Sequence, residues 1–134
     1  MCKKIVVKEA RKPLQIMSVE DGCRETCVKE YFDNPEQLVF VPLNVTDTLC
    51  IIVNNSNTKG LSENFLYPTQ KEFEPVTRAM GTALFVHSRW IEKEGKKTTE
   101  LVDITDDDLF FIQCFLDEFY QSNLRHKYYK AATR

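Results

Sequence analysis

A chain of 134 residues with 43% hydrophobic and 28% charged side chains fits one domain, residues 1–134. At that size it can bury roughly two thirds of its unfolded surface without help from a disulfide or a metal. Its formal net charge of −2 hides an uneven layout. Residues 1–12 hold five basic side chains against Glu9, and residues 119–134 hold Arg125, Lys127, Lys130 and Arg134 with no acid. The stretch between carries nine basic against nineteen acidic residues.

The opening Ile5-Val6-Val7 is too short to be the apolar core of about 7–15 residues that a secretory signal requires. No apolar run approaches the about 18 residues needed to cross a bilayer. Five cysteines, an odd number, fit free thiols in a reducing compartment. The expected setting is cytoplasmic, with no membrane contact.

Along the chain, Lys3 to Lys8 reads as a strand built on the β-formers Ile5, Val6 and Val7. Arg11-Lys12-Pro13 breaks it, and Leu14 to Ser18 alternates apolar and polar at the period of a half-buried strand. Ser18 with Asp21 resembles a helix-capping pair, and Val19, Cys23, Cys27 and Tyr31 follow at a spacing of four. That stripe predicts a helix over about residues 19–32, weakened at Gly22 and stopped by Asp33-Asn34-Pro35. Gln37 to Pro42 and Thr48 to Asn54 are continuous apolar runs that suit central strands, and their short link predicts an antiparallel hairpin.

Asn54 to Gly60 is rich in turn formers, and Leu61 to Pro75 carries aromatics without a sustained period. Residues 54–75 are therefore expected to be a long loop, partly ordered over 61–75. Gly81 to Trp90 gives a strand, Glu94-Gly95 a turn, and Thr98 to Ile104 a strand that pairs back. Thr105 then caps a helix whose first turn holds Asp106, Asp107 and Asp108, which suit the positive end of the helix dipole. Leu109, Ile112, Leu116 and Phe119 form its apolar stripe, widened by Phe115. The expected fold is α+β: a small, mostly antiparallel sheet of about five to six strands with two main helices, about 19–32 and 106–123, and a basic tail from about residue 124.

The residues that could carry chemistry have plainer readings. Cys23 and Cys27 lack the second close Cys/His pair that a structural zinc site needs, because His87 and His126 are isolated. Cys50 and Cys114 sit in apolar segments without an evident base beside them. The Asp106–Asp108 triplet lacks the spread ligands and central glycine of a calcium loop. No catalytic residue, metal site or cofactor is expected. Two surfaces remain as candidates. The aromatic-bearing loop offers Asn54, Asn57, Lys59, Phe65, Tyr67 and Phe73 to a protein partner, since aromatics anchor interfaces. The C-terminal Arg125, Lys127, Tyr128, Tyr129 and Lys130 combine charge and stacking surface as single-stranded nucleic acid requires.

One further pattern lies in the order of elements. Leu38 to Asn54, a polar turn, Gly60-Leu61-Ser62-Glu63-Asn64, the strand opening at Gly81 and the closing Ile104 to Leu109 resemble a family of uncharacterised phage and mobile-element accessory proteins, domain-of-unknown-function family 3846. The resemblance covers about residues 5–120 and implies no catalytic residues. It implies a mobile-element protein that binds a host or element component, for example to blunt a defence system, and the missing chemistry makes a non-enzymatic accessory or interaction protein the expectation.

Overall fold

The computed structural model describes residues 2–27, 29–32, 38–44, 46, 48–54, 63–68 and 76–117. Among the described residues eight strands run in chain order: β1 (Cys2–Lys8), β2 (Gln15–Glu20), β3 (Leu38–Pro42), β4 (Leu49–Asn54), β5 (Glu63–Pro68), β6 (Val76–Met80), β7 (Ala83–Lys93) and β8 (Lys96–Val102). Six of them form one antiparallel sheet in the order β2-β1-β7-β4-β3, with β8 also paired to β7. The remaining two, β5 and β6, make a separate antiparallel pair.

Strand β7 organises the large sheet. Phe85 pairs with Val6 of β1 and with Ile51 of β4, so those strands lie on opposite edges of β7. His87 pairs with Leu49 of β4 and with Val102 of β8, so β8 continues the edge that β1 begins. The junction is closed by Lys4, whose N–H donates to Asp103 Oδ1 at 2.9 Å and whose carbonyl accepts from Ile104 N at 3.1 Å.

Because side chains alternate along a strand, the sheet has two buried faces. On the first, Val6, Leu49, Ile51, Val53, Ala83 and Phe85 meet Phe65 and Ala79 of the β5–β6 pair and Ile112 of the helix that follows β8. On the second, Ile5, Val7, Val19, Cys50, Ile52, Leu84, Val86 and Leu101 are covered by Tyr31 and Phe32. Central strands buried on both sides explain the unbroken apolar runs of β4 and β7. The small pair is tied to the large sheet by Asn64, whose Nδ2 donates to the carbonyls of Lys8 at 2.7 Å and Gly81 at 2.8 Å. Lys8 Nζ donates in turn to Asn64 Oδ1 at 3.0 Å, and burial lowers the pKa of that ammonium.

Two expectations are corrected. No helix spans 19–32: Val19 is in β2 opposite Lys3, and only a single helical turn, α1 (Arg24–Cys27), and a 3-10 turn (Lys29–Tyr31) follow. The cause lies at Gly22, whose φ of 148° is outside the helical range. Its carbonyl accepts from Leu101 N at 2.8 Å, so this segment docks on β8 and does not close helical turns. The Ser18–Asp21 cap also disappears, since Ser18 is a strand residue opposite Lys4. The expected 54–75 loop contains β5, which pairs with β6 through the aromatic run 63–68; residues 55–62 and 69–75 lie outside the described residues.

Among the described residues one helix exceeds a single turn, α2 at 106–117. It starts with a reciprocal cap in which Asp108 N donates to Thr105 Oγ1 at 3.1 Å and Thr105 N donates to Asp108 Oδ2 at 2.9 Å. Ile112 is buried, and Leu109, Phe115 and Leu116 pack on the first face beside it, while Phe119 lies outside the described residues.

Candidate protein-interaction surface

β7 is longer than the strands around it. Its last bond toward β4 is Ser88 N to Thr48 O at 2.7 Å, where the chain has already entered the β3–β4 turn held by Asn44. Beyond it, among the described residues, Arg89 to Lys93 pair only with β8. The result is a two-stranded arm, Arg89–Lys93 against Lys96–Glu100, closed by Glu94-Gly95. Both turn residues have positive φ, 53° and 76°, as a two-residue hairpin turn with the sheet's natural twist requires.

The arm carries the chain's one tryptophan. Trp90 points to the second face, as Leu84, Val86 and Ser88 do, and keeps 47% of its surface exposed. Its position is set by Arg24 of α1. The Arg24 guanidinium lies 5.2 Å from the ring centroids of both Trp90 and Phe40, so the cation is held between two aromatic faces. Arg24 is only 6% exposed. Its Nη1 donates to Cys50 Sγ at 3.6 Å, and its Nε pairs with Glu25 Oε1 at 3.4 Å. Arg24 N donates to Thr99 Oγ1 at 3.2 Å, and that hydroxyl donates to Glu25 Oε2 at 3.3 Å. The turn α1 is thus bolted to both the sheet and the arm by one cation that would be costly to bury without such partners.

An open groove of about 500 Å³ runs along the arm, lined among the described residues by Trp90, Ile91, Glu92 and Lys97. On the same face as Trp90, Ser88 Oγ is buried and has no hydrogen-bond partner among the described residues. On the first face the arm carries an exposed ion pair, Arg89 with Glu100 at 2.8 Å.

The one histidine–carboxylate pair among the described residues is His87 Nδ1 with Asp108 Oδ2 at 2.7 Å. It ties β7 to the cap of α2, and Asp108 serves both contacts with one oxygen. His87 faces α2, whereas Cys50 belongs to the opposite face of the sheet, so the two do not form a nucleophile–base couple. Cys2 and Cys114 are exposed and Cys23 is half-buried. No three His, Cys, Asp or Glu side chains converge as metal ligands among the described residues. No helix among them is long and apolar enough to cross a membrane.

Of the residues expected to meet a partner, Asn54, Phe65 and Tyr67 are among the described residues, and none of the three is on the arm. Phe65 is 7% exposed, stacked on Phe85 at 5.8 Å and edge-on to Phe115 at 6.4 Å. It seats the β5–β6 pair on the core, a correction that follows from its place on the inward side of β5 opposite Ala79. Asn54 ends β4 opposite Leu38, and Tyr67 pairs with Thr77. Asn57, Lys59 and Phe73 lie outside the described residues, as do Arg125, Lys127, Tyr128, Tyr129 and Lys130.

Trp90 and Arg24 were not singled out from the sequence. A signal for the tryptophan was present: a lone Trp between Arg89 and Glu92-Lys93, where an apolar strand turns charged, reads as a strand leaving its core. Nothing local marked Arg24, because its aromatic partners lie in β3 and β7. Comparison of the chain with protein-family models, with curated proteins and with solved structures finds no match.

Proposed function

We propose that this chain is a non-enzymatic protein-interaction module whose contact surface is the β7–β8 arm. The observation that carries the reading is Trp90: a tryptophan with 47% of its surface exposed, braced by a buried arginine and bordering an open groove. A large aromatic held rigid before binding loses little freedom on contact, which is the property of an interface anchor. The mixed charges around it, Arg89, Glu92, Lys93 and Lys97, suit a polar rim. The proposal includes a partner encoded by a host or by a mobile element, which is what a likeness of residues 5–120 to a mobile-element accessory family would imply.

The test is quantitative capture of partners by the full chain and by a Trp90→Ala variant whose far-UV circular dichroism matches the parent. Loss of an anchoring tryptophan costs about 2 kcal/mol or more, a weakening of roughly 30-fold. Capture that is indifferent to Trp90 overturns the reading.

A further inference from the structure

The open edge of the arm has a defined hydrogen-bonding pattern. In an antiparallel ladder, alternate residues direct both backbone groups to the same neighbour. Ser88 N–H points away from β8, toward Thr48 O. Two and four residues on, Trp90 and Glu92 keep that direction, whereas Arg89, Ile91 and Lys93 turn their groups toward β8. The N–H and C=O of Trp90 and Glu92 therefore face the edge that β4 has vacated. No backbone partner reaches them among the described residues.

We infer that this edge accepts an extended peptide of another protein as an added strand, with an apolar residue beside Trp90 and an acidic residue on the opposite face beside Lys93. This deepens the interaction reading above and rests on it. Main-chain bonds to Trp90 and Glu92 supply affinity, and the alternating side chains supply selectivity. The groove along Trp90 and Glu92 receives the residues of the incoming strand that share their face.

Charge selects the occupant. Lys93 and Lys96 stand directly opposite each other across the turn, a like-charge pair that an acidic neighbour relieves. Arg89 already has Glu100, so Lys93 is the cation available to the added strand. The same charges oppose a second copy of this chain. Antiparallel self-pairing centred on Ile91 sets Arg89 against Lys93 twice, and centring on Glu92 sets that carboxylate against itself. Centring on Trp90 requires Ser88, whose N–H is already bonded to Thr48.

The experiment selects binders to the full chain from a library of random peptides, then maps them by amide hydrogen exchange and by N-methylating one peptide amide at a time. The expected binders alternate apolar and acidic residues and slow exchange at the Trp90 and Glu92 amides. N-methylation should weaken them at least about tenfold at every second position only, the register of a strand edge. Glu92→Pro removes an edge donor without touching the β8 ladder, and should weaken binding by a similar factor. If that variant misfolds, the N-methyl scan alone decides. Binders that leave both amides unprotected, binders that tolerate N-methylation throughout, or the absence of any binder overturn strand addition. Binders seated elsewhere on the arm and lost in Trp90→Ala overturn it while leaving the interaction reading standing. Capture from lysate that is indifferent to Trp90 is the separate result that removes both.

Discussion

The inner and outer halves of β7 share one strand and differ in nearly everything else. From Ala83 to Val86 the strand is fully buried, hydrogen-bonded on both edges and covered on both faces. From Arg89 to Lys93 it is bonded on one edge only among the described residues, and most of its side chains are exposed. The inner half holds the fold together, and the outer half is held in place by it. Rigidity therefore reaches Trp90 through the strand itself and through Arg24, which grips the inner residue Cys50 and the outer residue Trp90 at once.

The largest effect expected from this contrast is at Phe85, fully buried and stacked on Phe65. Phe85→Ala should cost about 4 kcal/mol, the sum of lost transfer energy and a cavity between the two sheets. Urea denaturation at unchanged slope checks it; a cost near 1 kcal/mol would mean that the β5–β6 pair is loosely seated. Next comes the brace. Arg24→Ala should cost about 2 kcal/mol, because two aromatic contacts and the link to Thr99 and Glu25 lose their centre. It should also shift Trp90 fluorescence to longer wavelength in the native state. Arg24→Lys should restore little of either, since an ammonium lacks the flat faces that stack between Phe40 and Trp90. An unchanged emission spectrum in Arg24→Ala would show that Trp90 is fixed by the strand alone.

The division between the halves was partly legible in the sequence. The run Ala83 to Val86 announces a strand covered on both faces, and the change to Arg89-Trp90-Ile91-Glu92-Lys93 marks where cover ends. The capped start of α2 was legible because Thr105 and Asp108 satisfy each other within one turn. The stripe Val19, Cys23, Cys27, Tyr31 misled, because the conformation at Gly22 is decided by the distant Leu101 N–H and not by local propensity. The strand β5 was hidden for a related reason: Glu63 to Pro68 has an irregular register with β6 and so no clean alternation. The Arg24 site was the least visible, since it is assembled from α1, β3, β4, β7 and β8 and has no spacing in the chain.

Ser88 stands at the boundary of the two halves, and its expected effect has the opposite sign. Its backbone N–H is satisfied by Thr48, but its hydroxyl is buried without a partner among the described residues. Ser88→Ala removes the unpaired group and leaves the ladder bond, so it should raise stability by about 1 kcal/mol. A loss of stability instead would reveal a partner for the hydroxyl, and would extend the polar Arg24 cluster inward along β7.

The smallest effect is expected in the outer half, at Ile91. Its side chain is half-buried, lines the groove and faces away from Trp90 along an arm with solvent at its tip. Ile91→Val keeps branching at Cβ, and with it the stiff side-chain rotamer and the preference for strand. Only one half-buried methyl group is lost, so the unfolding free energy should fall by about 0.5 kcal/mol or less. The hairpin's ladder to Thr98 is unaffected, because it is made by the backbone. Urea denaturation of this variant beside Phe85→Ala measures the contrast directly, with about an eightfold ratio expected. A cost above about 1.5 kcal/mol would place Ile91 in a covered site. The arm would then be part of the core, and the groove along it would have to be read as packing space and not as a surface for a partner.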